Sequence, residues 1–171
     1  MAVGGKTADA ISEHIGRLLM AASKLEWHSG LFGPMGDYSH KTTMKERLQR
    51  LAKADKIPQE IAGQLFACDG VRASHWELRN LAGHGTWCVL VPDGTPFFDT
   101  EASGSNRVID PVISYNPDPR GNDPRYWFVV HLSDFAEAIE AFRTVGTALG
   151  EIADELALPV PDADQQGMTA L

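Results

Sequence analysis

The sequence predicts a mainly α fold of the α+β kind: a bundle of four or five helices with a small antiparallel β insertion before the last long helix. Three observations carry this expectation. Apolar residues recur at three- and four-residue steps over two long stretches, 7–28 and 133–157. Shorter blocks with the same period fill 42–82. Between 86 and 132 the pattern changes to short β-prone runs separated by turn residues. At 171 residues and 43% hydrophobic content, one domain can bury about two thirds of its unfolded surface.

The elements follow in order. Ile11, Ile15, Leu18, Leu19, Ala22 and Leu25 define a first helix from Thr7 to about His28. Gly30, Gly33, Pro34 and Gly36 end it in a loop. Thr42 or Thr43 caps a second helix reaching about Ala54, with Met44, Leu48 and Leu51 on one face. Pro58 suits the first turn of a third helix, whose Ile61, Leu65 and Phe66 face inward. Asp69-Gly70 reads as a turn. A fourth helix follows from about Val71 to Ala82, buried through Leu78, Leu81 and Ala82 and ended by Gly83 and Gly85. Strands are expected at 87–91, 108–115 and 126–131, with a turn at Pro92-Asp93-Gly94 and a turn-rich loop at 118–124. Ser133 caps the final helix, Asp134 favours its positive end, and Phe135, Ile139, Phe142, Leu149, Ile152 and Leu156 form its apolar stripe. Pro159 and Pro161 stop it. Residues 1–158 therefore read as a single domain, 86–132 as its insertion and 159–171 as a flexible polar tail.

The net charge of −8 and pI near 5.1 argue against a general nucleic-acid coat protein. The charge is unevenly spread, however. Residues 41–56 hold Lys41, Lys45, Arg47, Arg50, Lys53 and Lys56 against Glu46 and Asp55. From 133 to the end, eight acidic residues face one basic residue, Arg143. Two cysteines, Cys68 and Cys88, without a paired motif, fit a reducing cytoplasm. The first seven residues lack the basic and apolar regions of a leader. No apolar run is long enough to span a membrane. Walker loops, dinucleotide fingerprints, nucleophile elbows and kinase motifs are absent.

The informative stretch is Arg79-Asn80-Leu81-Ala82-Gly83-His84. Arginine offers a planar fork of donors that fits a phosphate, and histidine moves a proton near neutral pH. Without an accompanying metal-ligand set, the pair suggests metal-free work on a phosphodiester. Nine arginines and six histidines in 171 residues give about 0.3 Arg-x4-His pairs by chance, and requiring Asn after the Arg lowers this to about 0.007. Allowing other polar residues and spacings raises that several-fold, so the setting carries the argument. A five-residue step turns about 500°, which leaves Arg79 and His84 about 140° apart around a regular helix. A second copy of the chain would supply the opposite half of a site.

Other readings of the residues stay open. Arg79 also reads as a partner of Glu77 or of an acidic residue on a neighbouring helix, and His84 as a helix-end cap. Lys45, Arg50 and Lys53 read either as a strip for an RNA backbone or as a solvated helix face. His75, four residues before Arg79, reads as an RNA contact or as an ordinary surface histidine. Trp76, Trp87, Tyr126 and Trp127 read as base-stacking groups or as core and interface aromatics. His75, His84 and Cys88 are the weaker candidates for a metal site, and neither a paired-cysteine motif nor HExxH supports one.

A helical bundle with Arg-polar-x3-His at the end of its penultimate major helix resembles the HEPN superfamily, named for higher eukaryotes and prokaryotes nucleotide-binding domains. Arg79, Asn80 and His84 stand at the three motif positions, and the helical parts, about 7–84 and 133–157, are the region of likeness. The resemblance implies a metal-independent endoribonuclease without a cofactor, acting on single-stranded RNA in toxin–antitoxin, abortive-infection or antiviral defence. It implies a homodimer with one motif from each copy across a shared cleft, and an antitoxin or regulatory protein as a further partner. Arg79 and His84 would carry the reaction and Asn80 would support it. The alternative it implies is a non-catalytic HEPN-like scaffold or partner-binding protein. The 86–132 insertion departs from the all-helical pattern.

Overall fold

The computed structural model describes residues 5–32, 44–53, 57–90, 96–97, 111–116 and 126–158. The elements are α1 (Gly5–Gly30), α2 (Met44–Ala52), α3 (Gln59–His84), β1 (Thr86–Leu90), β2 (Pro96–Phe97), β3 (Val112–Asn116), β4 (Tyr126–Val130) and α4 (Leu132–Glu155). The fold is mainly helical, with an antiparallel β insertion before the last long helix, as the periodicity predicts. The expected loop at 33–36, the caps Thr42 and Thr43, the turns at 92–94 and 118–124 and the tail 159–171 lie outside the described residues.

The chain divides into two compact units, one of residues 1–22 and 74–141 and the other of 23–73 and 142–171. In the first, Ile11 and Leu18 of α1, Leu81 of α3, Val112 and Val130 of the sheet, and Phe135 and Ala138 of α4 are buried. Its sheet runs β2-β1-β3-β4, antiparallel throughout. Trp87 stands opposite Ser114, and Ser114 opposite Phe128. Strand side chains alternate between faces: Val112, Ser114 and Val130 are buried, whereas Val129 is 61% exposed. The two-residue β2, which the sequence did not announce, opens on Pro96 at the sheet edge, where no ladder donor is required.

In the second unit, Leu25, Phe32, Leu48, Leu51, Leu65, Phe142, Leu149 and Ile152 are almost wholly buried, each contributing about 2 kcal/mol of apolar transfer free energy. Here one sequence expectation is corrected. Asp69-Gly70 is not a turn between two helices, because α3 runs unbroken from Gln59 to His84. The reason is chemical. Asp69 is buried, and its Oδ1 accepts hydrogen bonds from Arg72 Nε at 3.0 Å and Nη2 at 2.9 Å, one turn further on. Gln49 Nε2 of α2 donates to Asp69 Oδ2 at 3.4 Å. The carboxylate that would have stabilised a turn is spent inside the helix, and Ile61, Leu65, Cys68 and Arg72 continue one buried stripe past Gly70.

The ends of α4 differ from expectation in a similar way. Ser133 is not the cap. It is the second helical residue, and the Asp134 carboxylate accepts from the His131 backbone N–H at 2.8 Å while the Asp134 N–H donates to the His131 carbonyl. The other end closes before Pro159. Ala157 takes a left-handed φ of 49°, its N–H donates to Asp154, and the Leu158 N–H donates to Ala153. This is the Schellman arrangement with alanine where glycine is usual.

His28 on α1 lies against Gly146 and Gly150 of α4, both within the second unit. A Cβ built on either glycine would come within 3.5 Å of the imidazole. Burial is the main cause that pushes its pKa below the ordinary histidine value; Lys24 adds to the effect and Asp154 opposes it.

Two predictions follow from these packing details. Gly70→Ala, mid-helix with nothing within 4 Å of the added Cβ, is expected to stabilise the chain by about 0.5–1 kcal/mol in urea unfolding. A turn at that position would give the opposite sign. The second concerns pH. A lowered pKa means that the unfolded chain takes up the His28 proton first, so its contribution to stability is lost as pH falls below the usual histidine range. The urea midpoint of the wild type is expected to drop between about pH 7 and about pH 5 by more than that of His28→Phe.

Candidate active site

The motif residues occupy the last turns of α3, all in the first unit. Arg79 and Asn80 are half-buried and His84, the final helical residue, is exposed. Counting about 100° per residue, Trp76, Asn80 and His84 make one slightly drifting stripe. Arg79 flanks it on one side and Glu77 on the other. Leu81 and Ala82, buried, point the opposite way and hold the turn against the core.

Arg79 is positioned by Trp76. Its Cζ lies 5.1 Å from the ring centroid, inside the range of a cation–π contact, and its Nε is buried. Trp76 precedes Arg79 by three residues, so the guanidinium is drawn back along α3. His84 stands about 7.5 Å further along the axis from Arg79. Within one chain the two groups are thus held apart along the helix as well as around it. Asn80, four residues before His84, is the polar side chain one turn away on nearly the same face.

The C-terminal side of His84 is fixed by close packing. The Gly85 N–H donates to the Leu81 carbonyl at 2.7 Å. A Cβ on Gly85 would overlap the Ser114 hydroxyl on β3 and come within 2.6 Å of the Leu81 oxygen. Gly85 is therefore set by the close approach of strand and helix. Gly83 lies within α3 and has room, its nearest neighbour being Leu19 at 3.9 Å.

The remaining candidates are dispersed. His75 is half-buried and lies about 180° around α3 from His84. It lines a groove of about 310 Å³ with Glu77, Leu78 and Leu81. Lys45 and Arg50 on α2 and Lys53 just after it are exposed, and belong to the second unit. Lys41 and Lys56, and the side chains of Arg47, Tyr126 and Trp127, lie outside what is described. Trp87 packs on Phe135, with ring centroids 5.3 Å apart, which is core work. Among the described residues no group of three metal-ligating side chains occurs, and no helix is long and apolar enough to cross a membrane. The Trp76–Arg79 contact was missed by sequence reasoning, although an aromatic three residues before an arginine on a helix is its signature. The carboxylates beside His75 were missed as well, because they converge from α3 and α4.

Set against protein families, curated proteins and solved structures, the chain finds no match in any of the three.

Proposed function

We propose that the chain is a metal-independent endoribonuclease of HEPN type, acting as a homodimer on single-stranded RNA as a toxin or antiviral-defence effector. The observation that carries the reading is the clustering of Arg79, Asn80 and His84 on the final turns of one helix. His84 is exposed at the last position and the Arg79 guanidinium is shelved on Trp76. The RNA supplies its own nucleophile. The 2′-hydroxyl attacks the adjacent phosphorus, the bond to the 5′-oxygen breaks, and the products are a 2′,3′-cyclic phosphate and a 5′-hydroxyl. His84 takes the 2′-hydroxyl proton or gives a proton to the leaving oxygen. Arg79 stabilises charge on the phosphate oxygens, and Asn80 orients the imidazole or a phosphate oxygen. A flexible single strand reaches the in-line geometry.

The separation of Arg79 from His84 along α3 favours a site completed across two copies. In chelator, the wild type is expected to cut an RNA pool to cyclic-phosphate ends. Arg79→Ala and His84→Ala are each expected to lose about a hundredfold or more of the rate with unchanged circular dichroism. Mixing the two inactive variants is expected to restore part of the activity, because one of the two Arg79–His84 pairs facing across the shared cleft of a mixed dimer is then intact. Full activity in both single variants would overturn the proposal, and absence of restoration would place the whole site within one copy.

A further inference from the structure

The exposed side of α3 in the second unit is built unlike an ordinary solvent face. Counting about 100° per residue, Gly63, Phe66, Ala67 and Gly70 fall within a sector of about 100°, and all four are exposed. Ile61, Leu65, Cys68 and Arg72 bury the opposite side. Phe66 leaves 46% of its surface open, and Val71 beside the sector leaves 40%. Gln64 and Ala73, also exposed, flank it. Between Gly63 and Ala73 the only ionised residues are Asp69 and Arg72, which are buried against each other at 2.9 Å. The side toward solvent therefore carries no charge, where a solvated helix face is ordinarily charged and polar.

Glycine is costly in this setting, about 1 kcal/mol relative to alanine at each helix-interior position. A Cβ built on Gly63 or on Gly70 meets nothing within 4 Å, so no neighbour in the chain calls for a missing side chain at either place. Glycines seven residues apart on one exposed stripe are what a second helix needs in order to come closer than the usual separation of about 8–10 Å between axes.

We propose that this face of α3 is a contact between two copies of the chain, helix against helix. Its charge and its shape select the occupant. Two chains of net charge −8 repel each other wherever their ionised surfaces meet, and a face without charge is where they can touch. A nucleic-acid strand would need Lys or Arg there, and a basic or acidic segment of another protein would find no opposite charge to meet. The face also complements itself. Phe66 projects and the glycine and alanine positions beside it recede, so in a two-fold pair each Phe66 seats on the small residues of its mate. Residues 63–73 make a strip about 16 Å long and about 10 Å wide. That is well short of the ~800 Å² per partner of a stable complex, so the pair is reversible and forms at roughly tens of micromolar or above. The contact is independent of the ribonuclease reading, since Arg79, Asn80 and His84 belong to the first unit.

The test is sedimentation of the full chain, followed from about 1 to about 300 μM. A reversible monomer–dimer equilibrium is expected. Gly63→Ala combined with Gly70→Ala adds two methyl groups per copy to the contact. This variant is expected to dimerise at least about tenfold more weakly, while its urea midpoint, read where the chain is monomeric, rises. A damaged fold would lower both, so the opposite signs identify the contact. Phe66→Glu, which brings two carboxylates together at the contact, is expected to abolish dimerisation over the same range with unchanged circular dichroism. The proposal is overturned if the chain stays monomeric to the top of that range, which would leave the face to a different protein. It is equally overturned if a dimer forms that is indifferent to both α3 variants, which would place the contact elsewhere.

Discussion

The close approach at Gly85 is the constraint from which the geometry of the first unit follows. A single residue separates the end of α3 at His84 from the start of β1 at Thr86. That residue must satisfy both neighbours. Its N–H completes the helix by donating to Leu81, and its missing side chain lets the Ser114 hydroxyl of β3 lie where a methyl group would be. The ladder starts at once, with Thr86 opposite Tyr115 and Trp87 opposite Ser114. His84 is therefore held on one side by buried Leu81 and Ala82 and on the other by a hydrogen-bonded strand. An exposed imidazole on so short a mount has little backbone freedom to lose, which is the preorganisation that proton transfer rewards.

A different device maintains the second unit's share of α3. Asp69 followed by Gly70 is a strong turn signal, and in isolation the chain has every local reason to bend there. The bidentate contact from Arg72 and the reach of Gln49 from α2 outweigh it. Removing one member of such a buried pair leaves an uncompensated charge, at a cost of about 3 kcal/mol or more.

This contrast also explains what could be read from the residues. Apolar periodicity found α1, the core of α2 and α4, because in those elements Leu and Phe carry the buried stripe. It split α3 in two because part of that stripe is Asp69 and Arg72, polar residues that do the packing, with an exposed glycine, Gly70, between them. It placed Arg79, Asn80 and His84 correctly at a helix end, since Gly83 and Gly85 mark a terminus whatever their individual roles. It missed the Schellman closure at Ala157 because alanine gives no sign of a left-handed φ. It missed the groove beside His75, which Glu77 and Glu137 both line, because residues sixty positions apart in the chain meet only when α3 and α4 flank β4. Short-range chemistry was legible, and convergence between elements was not.

An acidic chain proposed to handle RNA raises a question of magnitude. Glu77 shares a face with His84, seven residues and about 10.5 Å away along α3. In water a unit charge at that distance repels a phosphate by about 0.4 kcal/mol, and physiological salt cuts this to about 0.1. A guanidinium fork bonded to the same phosphate contributes about 1.5–3 kcal/mol. The net charge of −8 therefore slows encounter more than it weakens a bound complex, because steering sums over many distant charges whereas binding is decided by the nearest.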